Sequence, residues 1–301
     1  MRAVVLGAGV IGVSTAYFLA RAGHEVHVID RQPGAGLETS FANGGQISTS
    51  HAEPWANPMA PVHFARWLGR SGAPVIFRPR LDTRQWAWAL RFWLNCLPGR
   101  TRANTEKILR LALYSRAQLA GIMAGTDLEF DLRSEGIMHI YRDQRSLDRA
   151  ARQAEFLAGM GCACELLDGA GCVEREPALA PSQDQLAGAV YSRDDASGDA
   201  HKFTQGLAAH CASLGVEFSF DTEINDLTAK SGRITSAETT QGEIAGDTFI
   251  LSLGSYTPLM LKRLGLKTAI YPAKGYSVTL PTEGHGGAPK VSLTDDYHKL
   301  V

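Results

Sequence analysis

With Ala3-Val4-Val5-Leu6-Gly7-Ala8-Gly9-Val10-Ile11-Gly12 the chain passes almost at once from an apolar run to a glycine-rich turn. The β-branched residues up to Leu6 suit a central parallel strand buried on both faces. Gly7 permits a tight turn, Gly9 lets the backbone approach a pyrophosphate, and Gly12 lets the next helix pack hard against the sheet. A helical pattern follows, with Ile11, Thr15, Phe18 and Leu19 on one face and Gly23 as its C-terminal cap. Glu25-Val26-His27-Val28-Ile29 then alternates as a second strand and ends in Asp30, eighteen residues after Gly12. A carboxylate there accepts hydrogen bonds from ribose hydroxyls and disfavours the extra phosphate of NADP. Strand, glycine turn, helix, strand and acid predict a dinucleotide-binding unit, with the helix N-terminus facing the phosphates.

The remainder is that of a globular protein. Its 301 residues are 45% hydrophobic and 20% charged, enough for two domains with substantial cores. A net charge of −1 gives no reason to expect a nucleic-acid partner. Charge is nevertheless uneven: residues 63–110 carry ten Lys/Arg against Asp82 and Glu106, and all five tryptophans fall in or just before that stretch. Trp86, Leu90, Trp93, Leu94 and Leu97 share one helical face. We read that face as aromatic core packing, with a lipid-headgroup or anionic quinone-delivery surface as the alternative. Five irregularly spaced cysteines predict reduced thiols, and neither metal-ligand spacing nor a Ser/His/Asp order is present. No run reaches the ~18 residues of a membrane span. Arg2 and the apolar run after it imitate a signal peptide, but glycines 7, 9 and 12 and Ser14-Thr15 break the likeness, so a cytosolic start is expected.

Residues 31–60 show neither helical nor strand period, and a loop of that length tends to be functional. Within it, Glu38-Thr39-Ser40-Phe41-Ala42-Asn43-Gly44-Gly45-Gln46-Ile47-Ser48, together with the opening glycines and Asp30-Arg31, resembles the FAD-dependent D-amino acid dehydrogenases. These are relatives of glycine, sarcosine and D-amino acid oxidases. Glu176-Pro177-Ala178-Leu179, Ser197-Gly198-Asp199-Ala200, Gly254-Ser255 and Tyr271-Pro272-Ala273-Lys274-Gly275-Tyr276 resemble further landmarks of the group. The resemblance implies FAD as cofactor. The turn Gly7, Ala8, Gly9, Val10, Ile11 and Gly12 would hold the pyrophosphate and Asp30 the adenosine ribose, with Val4, Val5, Leu6 and Arg31 also among the cofactor-binding positions. Ser40, Asn43, Gly44, Gly45 and Gln46 would lie along the flavin side. Glu223 and Ile224, expected on the strand after the Gly215 turn, would meet the adenine, and Gly254, after the strand Thr248-Phe249-Ile250-Leu251-Ser252-Leu253, would return the chain to the cofactor.

The expected fold is α/β: a Rossmann-like FAD-binding domain with a parallel central sheet, plus an antiparallel α+β substrate domain. The boundaries read as 1–85 and 191–265 for the first, and 86–190 and 266–301 for the second. In the middle, Ile108, Leu111, Ala112, Ser115, Leu119 and Ile122 predict a long amphipathic helix over 105–125. A second helix starts from a Ser146 cap and runs to Gly161. Residues 136–141 and 188–191 read as strands, with 268–280 returning to the substrate domain. The group's reaction would be oxidative deamination of a D-amino acid such as D-alanine to a 2-oxo acid and ammonia. A hydride would pass from Cα to flavin N5, and the electrons onward to a quinone or respiratory-chain acceptor, with peripheral membrane contact through 63–110. The protein would supply orientation and charge. His51 and Tyr276 are the pocket candidates, although His51, His139 and His201 each read more simply as packed or surface histidines. Relatives continue beyond Asp295-Asp296-Tyr297-His298-Lys299-Leu300-Val301, so a C-terminal FAD-domain segment is expected to be missing. An oxygen-using glycine/sarcosine-type oxidase and an inactive FAD-binding fragment are the alternatives.

Overall fold

The computed structural model describes residues 1–67, 73–296 and 298–301. Residues 68–72 of the Trp- and Arg-rich stretch and Tyr297 of the closing run lie outside the described residues. In chain order the strands are β1 (Arg2–Leu6), β2 (Glu25–Ile29), β3 (Gln46–Ile47), β4 (Ile137–Tyr141), β5 (Glu165–Leu167), β6 (Gly188–Ser192) and β7 (Ala196–Ser197). They continue as β8 (Glu217–Ser219), β9 (Ile224–Lys230), β10 (Arg233–Thr239), β11 (Gly242–Ala245), β12 (Thr248–Leu251) and β13 (Ser292–Asp295). The helices are α1 (Val10–Arg21), α2 (Ala60–Trp67), α3 (Thr83–Asn95), α4 (Pro98–Ala124), α5 (Gln144–Ala158), α6 (Gly169–Arg175), α7 (Ala200–Ser213) and α8 (Thr257–Arg263). Two compact units result: one from residues 1–43, 125–130 and 199–277, the other from 44–124, 131–198 and 278–301.

In the first unit the strand order is β12-β1-β2-β8, every pair parallel. Ala3, Val4, Val5 and Leu6 are fully buried because both sheet faces are covered. Val4 and Leu6 pack with Ile29, Leu227, Ala237 and Met260, so the antiparallel β11-β10-β9 sheet and α8 close one face. On the other lies α1, against α7. Its buried residues are Gly12, Val13, Ala16 and Tyr17, not the expected Ile11 and Phe18, which are exposed. The buried positions 12, 13, 16 and 17 form one face at i, i+1, i+4 and i+5, where Gly12 and Ala16 allow close approach and the bulky Tyr17 is enclosed, while Ile11 and Phe18 flank it in solvent. Gly23 adopts φ +80°, as a helix-terminating glycine does. Ile224 opens β9 in the smaller sheet; the strand directly after Gly215 is β8.

The second unit is built on the sheet β13-β4-β6-β5. Its β4-β6 and β6-β5 pairs are antiparallel as expected, but β13 runs parallel to β4. Residues 268–280 form no strand and do not return to this sheet: 268–277 belong to the first unit, the place beside β4 is taken by β13, and Tyr276 is 86% exposed. The handover between units falls at 43/44 rather than 85/86, since β3 pairs with β7 and the loop after β3 is tied to Asp195. Helix α4 begins at Pro98, and its buried positions are Thr101, Thr105, Leu109 and Ile122, whereas Ile108 and Leu111 point to solvent. Thr101 and Thr105 tolerate burial because their hydroxyls donate to backbone carbonyls, Thr101 to Ala56 O at 3.2 Å and Thr105 to Thr101 O at 2.9 Å. Helix α5 is capped by Asp143, whose carboxylate accepts from Ser146 N, so Ser146 is not the cap. The stripe on α3 is not core: Trp86, Leu90, Trp93, Leu94 and Leu97 are all exposed, and the helix buries Gln85 and Ala89 instead. Among the described residues no helix is long and apolar enough to cross a membrane, and all five cysteines are free.

Asp195, fully buried, organises one corner of this unit. It accepts from Ser48 Oγ (2.8 Å), Thr49 N (2.8 Å), Thr49 Oγ1 (2.9 Å), Ser50 N (3.2 Å) and Ser50 Oγ (2.6 Å). Burial alone would raise its pKa, but the bonds from Ser50, Thr49 and Ser48 outweigh that and hold it below the usual carboxylate range. A group of this kind stabilises the fold above its unfolded pKa, about 3.9, and the contribution drains away as pH falls toward the folded value. Asp195→Ala should therefore cost about 2–4 kcal/mol at pH 7 in denaturant unfolding. The difference from wild type should shrink below pH 4.

Candidate dinucleotide site

In the first unit the chain leaves β1 toward β2 on one side, while β12 lies on the other, so the carboxyl ends of β12, β1 and β2 surround a topological switch point. Crevices of that kind receive ligands in open α/β sheets. Gly7, at the end of β1, adopts φ +104°, which only glycine takes without strain, and a Cβ on it would stand 2.6 Å from Ser252 O. A Cβ on Gly12 would lie 1.8 Å from Gly7 O, an impossible approach. Gly9 is different: its Cβ would meet only Ser40 Oγ at 3.5 Å. The two outer glycines are needed by the fold, whereas the space at Gly9 is left open.

The surroundings suit a phosphate-bearing ligand. Gly9 precedes α1 without a side-chain cap, and the first turn carries no acid. Val10 N donates to Ser40 Oγ at 3.0 Å, which brings the predicted Ser40 to the start of α1. Ser252 Oγ, beside the Gly7 turn, is buried with no hydrogen-bond partner among the described residues. Asp30 accepts from Ala8 N at 2.6 Å and from Gln32 N at 2.8 Å, one bond to each oxygen, leaving further lone pairs for hydroxyl donors. Arg31 lies 4.2 Å over the Tyr256 ring and pairs with Glu38. Tyr256 follows Gly254, whose φ is +52° and whose Cβ position is open. Thr222 N donates to Asp30 O at 2.9 Å, so Ile224 begins two residues from this end of the crevice. Asn43 Nδ2 donates to Ser40 O at 2.8 Å and shapes the turn. These residues fit a dinucleotide extended across the switch point.

Of the other candidates, Gly44, Gly45, Gln46 and His51 fall in the second unit, whereas Tyr276 lies in the first. Gly45, at φ +61°, faces Gly198 O, which a Cβ would approach to 2.5 Å, and Gly44 lies against Val301. Gln46 Nε2 donates to Ser292 Oγ and Thr294 Oγ1, both at 3.0 Å. His51 is exposed and sits edge-on to His139 at 4.9 Å between ring centroids. Sequence reasoning missed Ser252 and Tyr256. Tyr256 was findable, since it stands two residues beyond the flagged Gly254.

The FAD dependent oxidoreductase family matches residues 2–301. The whole chain is 50% identical to the D-amino acid dehydrogenase of Paramagnetospirillum magneticum, covering 72% of that protein. It is 46% identical to the D-amino acid dehydrogenase of Cereibacter sphaeroides, covering 69% of it. Among solved structures, glycine oxidase from Geobacillus kaustophilus superimposes with a TM-score of 0.64 at 22% identity, over 88% of this chain. The chain spans 59% of that oxidase, a likeness of fold alone.

The glycines separate cofactor from fold. Gly9→Ala should leave Tm within about 2 °C of wild type, since its Cβ meets ordinary contact, yet lower dinucleotide retention on gel filtration roughly tenfold or more. Gly12→Ala should cost at least about 3 kcal/mol and leave little folded protein.

Proposed function

The chain belongs to the FAD dependent oxidoreductase family, and from that premise we propose that it carries out oxidative deamination of D-amino acids. The whole-length likeness to two D-amino acid dehydrogenases carries this reading. In it, Gly7, Ala8, Gly9 and the N-terminus of α1 hold the cofactor's diphosphate, Asp30 accepts from its ribose, and Arg31 with Tyr256 borders the adenosine end. Ser40 and Asn43 fix the turn that follows, and Gly44 to Gln46 carry it into the second unit. Bound FAD supplies the two-electron oxidising capacity. The residues of this chain bind and orient, so that a D-amino acid presents its Cα–H and its amine is held unprotonated; the imine product then hydrolyses to a 2-oxo acid and ammonia.

We extend the proposal to a quinone or respiratory-chain acceptor reached at a membrane surface, with the exposed face of α3 as the contact. Leu90 is 61% and Trp86 52% exposed, beside Arg84 and Arg91 on the same helix. Such a face suits anionic headgroups. Leu90→Asp with Leu94→Asp should abolish co-sedimentation with vesicles of anionic lipid while leaving Tm unchanged. Retained binding would rule this face out.

The decisive experiment is anaerobic titration of the flavin-loaded protein. D-alanine should bleach the flavin absorbance and L-alanine should not, and in air peroxide should stay at background. Bleaching by the L-isomer alone would overturn the substrate class, and stoichiometric peroxide would favour a glycine-oxidase-type reaction.

A further inference from the structure

Segment 132–135, which leads into β4, and loop 282–290, which leads into β13, face each other across a cavity of about 490 Å³. That volume lies in the range of small-molecule sites. Every residue lining it belongs to the second unit, and both walls are held by bonds from that same unit. On one side Arg133 exchanges two backbone bonds with Ser197, at 2.8 and 2.9 Å, and Glu135 O accepts from Tyr191 Oη at 2.8 Å. On the other, the carboxylate of Glu176 accepts from Lys290 N and Val291 N. Arg133, Glu135 and Lys290 therefore stand on anchored backbone, as the side chains of a binding site must.

The charges at this cavity are unspent. Elsewhere in the same unit Arg116, Arg142 and Arg175 pair with Asp194, Asp295 and Glu165. Among the described residues the side chains of Arg133 and Lys290 make neither a hydrogen bond nor an ion pair, although Glu135 lines the same cavity. All three are exposed, so an incoming molecule can reach them. Leu132, itself 40% exposed, and Pro289 add apolar wall beside the charges. A guanidinium offers a planar fork to a carboxylate, and an ammonium adds a second point charge. Two cations against one acid match a singly charged anion, and Glu135 opposes a more highly charged one. The apolar wall, and a volume larger than a carboxylate fills, call for a hydrocarbon body behind the charge.

We propose that this cavity binds a small organic acid, with its carboxylate on Arg133 and Lys290 and its apolar body against Leu132 and Pro289. None of these residues belongs to the dinucleotide crevice, so the site stands whether or not the deamination reading does.

The test is fluorine NMR of para-fluorophenylacetate titrated into the flavin-loaded protein. Wild type should shift and broaden the fluorine line saturably. Arg133→Gln with Lys290→Gln should weaken binding about tenfold or more, through loss of two charge-assisted contacts, and Leu132→Ser should weaken it about threefold. Glu135→Gln should tighten it about twofold by removing a repulsion. None of these changes should move Tm by more than about 2 °C, since no partner inside the protein is lost. Inorganic phosphate, which lacks the apolar body, should displace the probe about tenfold less well than phenylacetate does. Arg152→Gln, an exposed cation on α5, is the control and should change nothing. A wild-type line that never saturates, or unchanged affinity in the Arg133/Lys290 double variant, would overturn the inference. So would an equal loss in Arg152→Gln, or phosphate competing as well as phenylacetate, because either marks unspecific attraction to basic surface. A probe seated against the flavin would perturb the flavin spectrum and keep its affinity in the double variant, and that outcome also overturns the inference.

Discussion

At the end of the first strand the carbonyl of Gly7 occupies the space that any side chain at position 12 would need. That close approach fixes where α1 begins, and hence where its free N–H groups stand relative to the carboxyl ends of β1, β2 and β12. A methyl group there would push the helix off the sheet, separate α1 from α7, and open the packing around Val13 and Ala16. The crevice proposed for the dinucleotide is thus a by-product of how tightly one helix meets one strand. Its chemistry follows from backbone geometry, with Asp30 and Ser40 as the principal side-chain additions.

Buried carboxylates perform the corresponding task elsewhere. Glu176, 2% exposed, accepts from Lys290 N at 2.6 Å and Val291 N at 2.8 Å, so it anchors the approach to β13. Asp199 caps α7 by accepting from His201 N and Lys202 N. Asp195 holds the loop after β3. Each acid satisfies backbone donors that would otherwise be stranded, Asp199 within its own helix, Glu176 and Asp195 between segments distant in sequence. Two of the stretches that resemble family landmarks, around Glu176 and Asp199, each hold an acid with such an anchoring bond.

The parts legible from sequence alone are those set by local rules. Gly7, Gly9, Gly12 and Asp30 follow from turn geometry and spacing, and β1, α1, β2, β4 and β6 from apolar period. What escaped depends on partners far along the chain. The inward face of α1 was misjudged because close packing selects Gly12 and Ala16 over the more hydrophobic Ile11 and Phe18. The inward threonines of α4 look polar until their hydroxyls are seen bonded to the backbone. Residues 268–280 carry strand-like side chains but form no strand, and most of them group with the first unit. The stripe of α3 looks like core in composition, and only the fold reveals that Trp86, Leu90, Trp93, Leu94 and Leu97 stay exposed.

The pairing of Ala3 with Thr248 also has a consequence during synthesis. As the nascent chain leaves the ribosome, β1 and β2 form early, yet one edge of β1 stays open until about 250 residues have emerged. At roughly 5–20 residues per second that interval is on the order of tens of seconds. Throughout it, a short, very apolar strand presents unpaired N–H and C=O groups to whatever else is in the cell, and all of 44–124 and 131–198 must be made meanwhile. Expression yield should therefore respond to chaperone supply and growth temperature far more than the stability of the finished fold suggests.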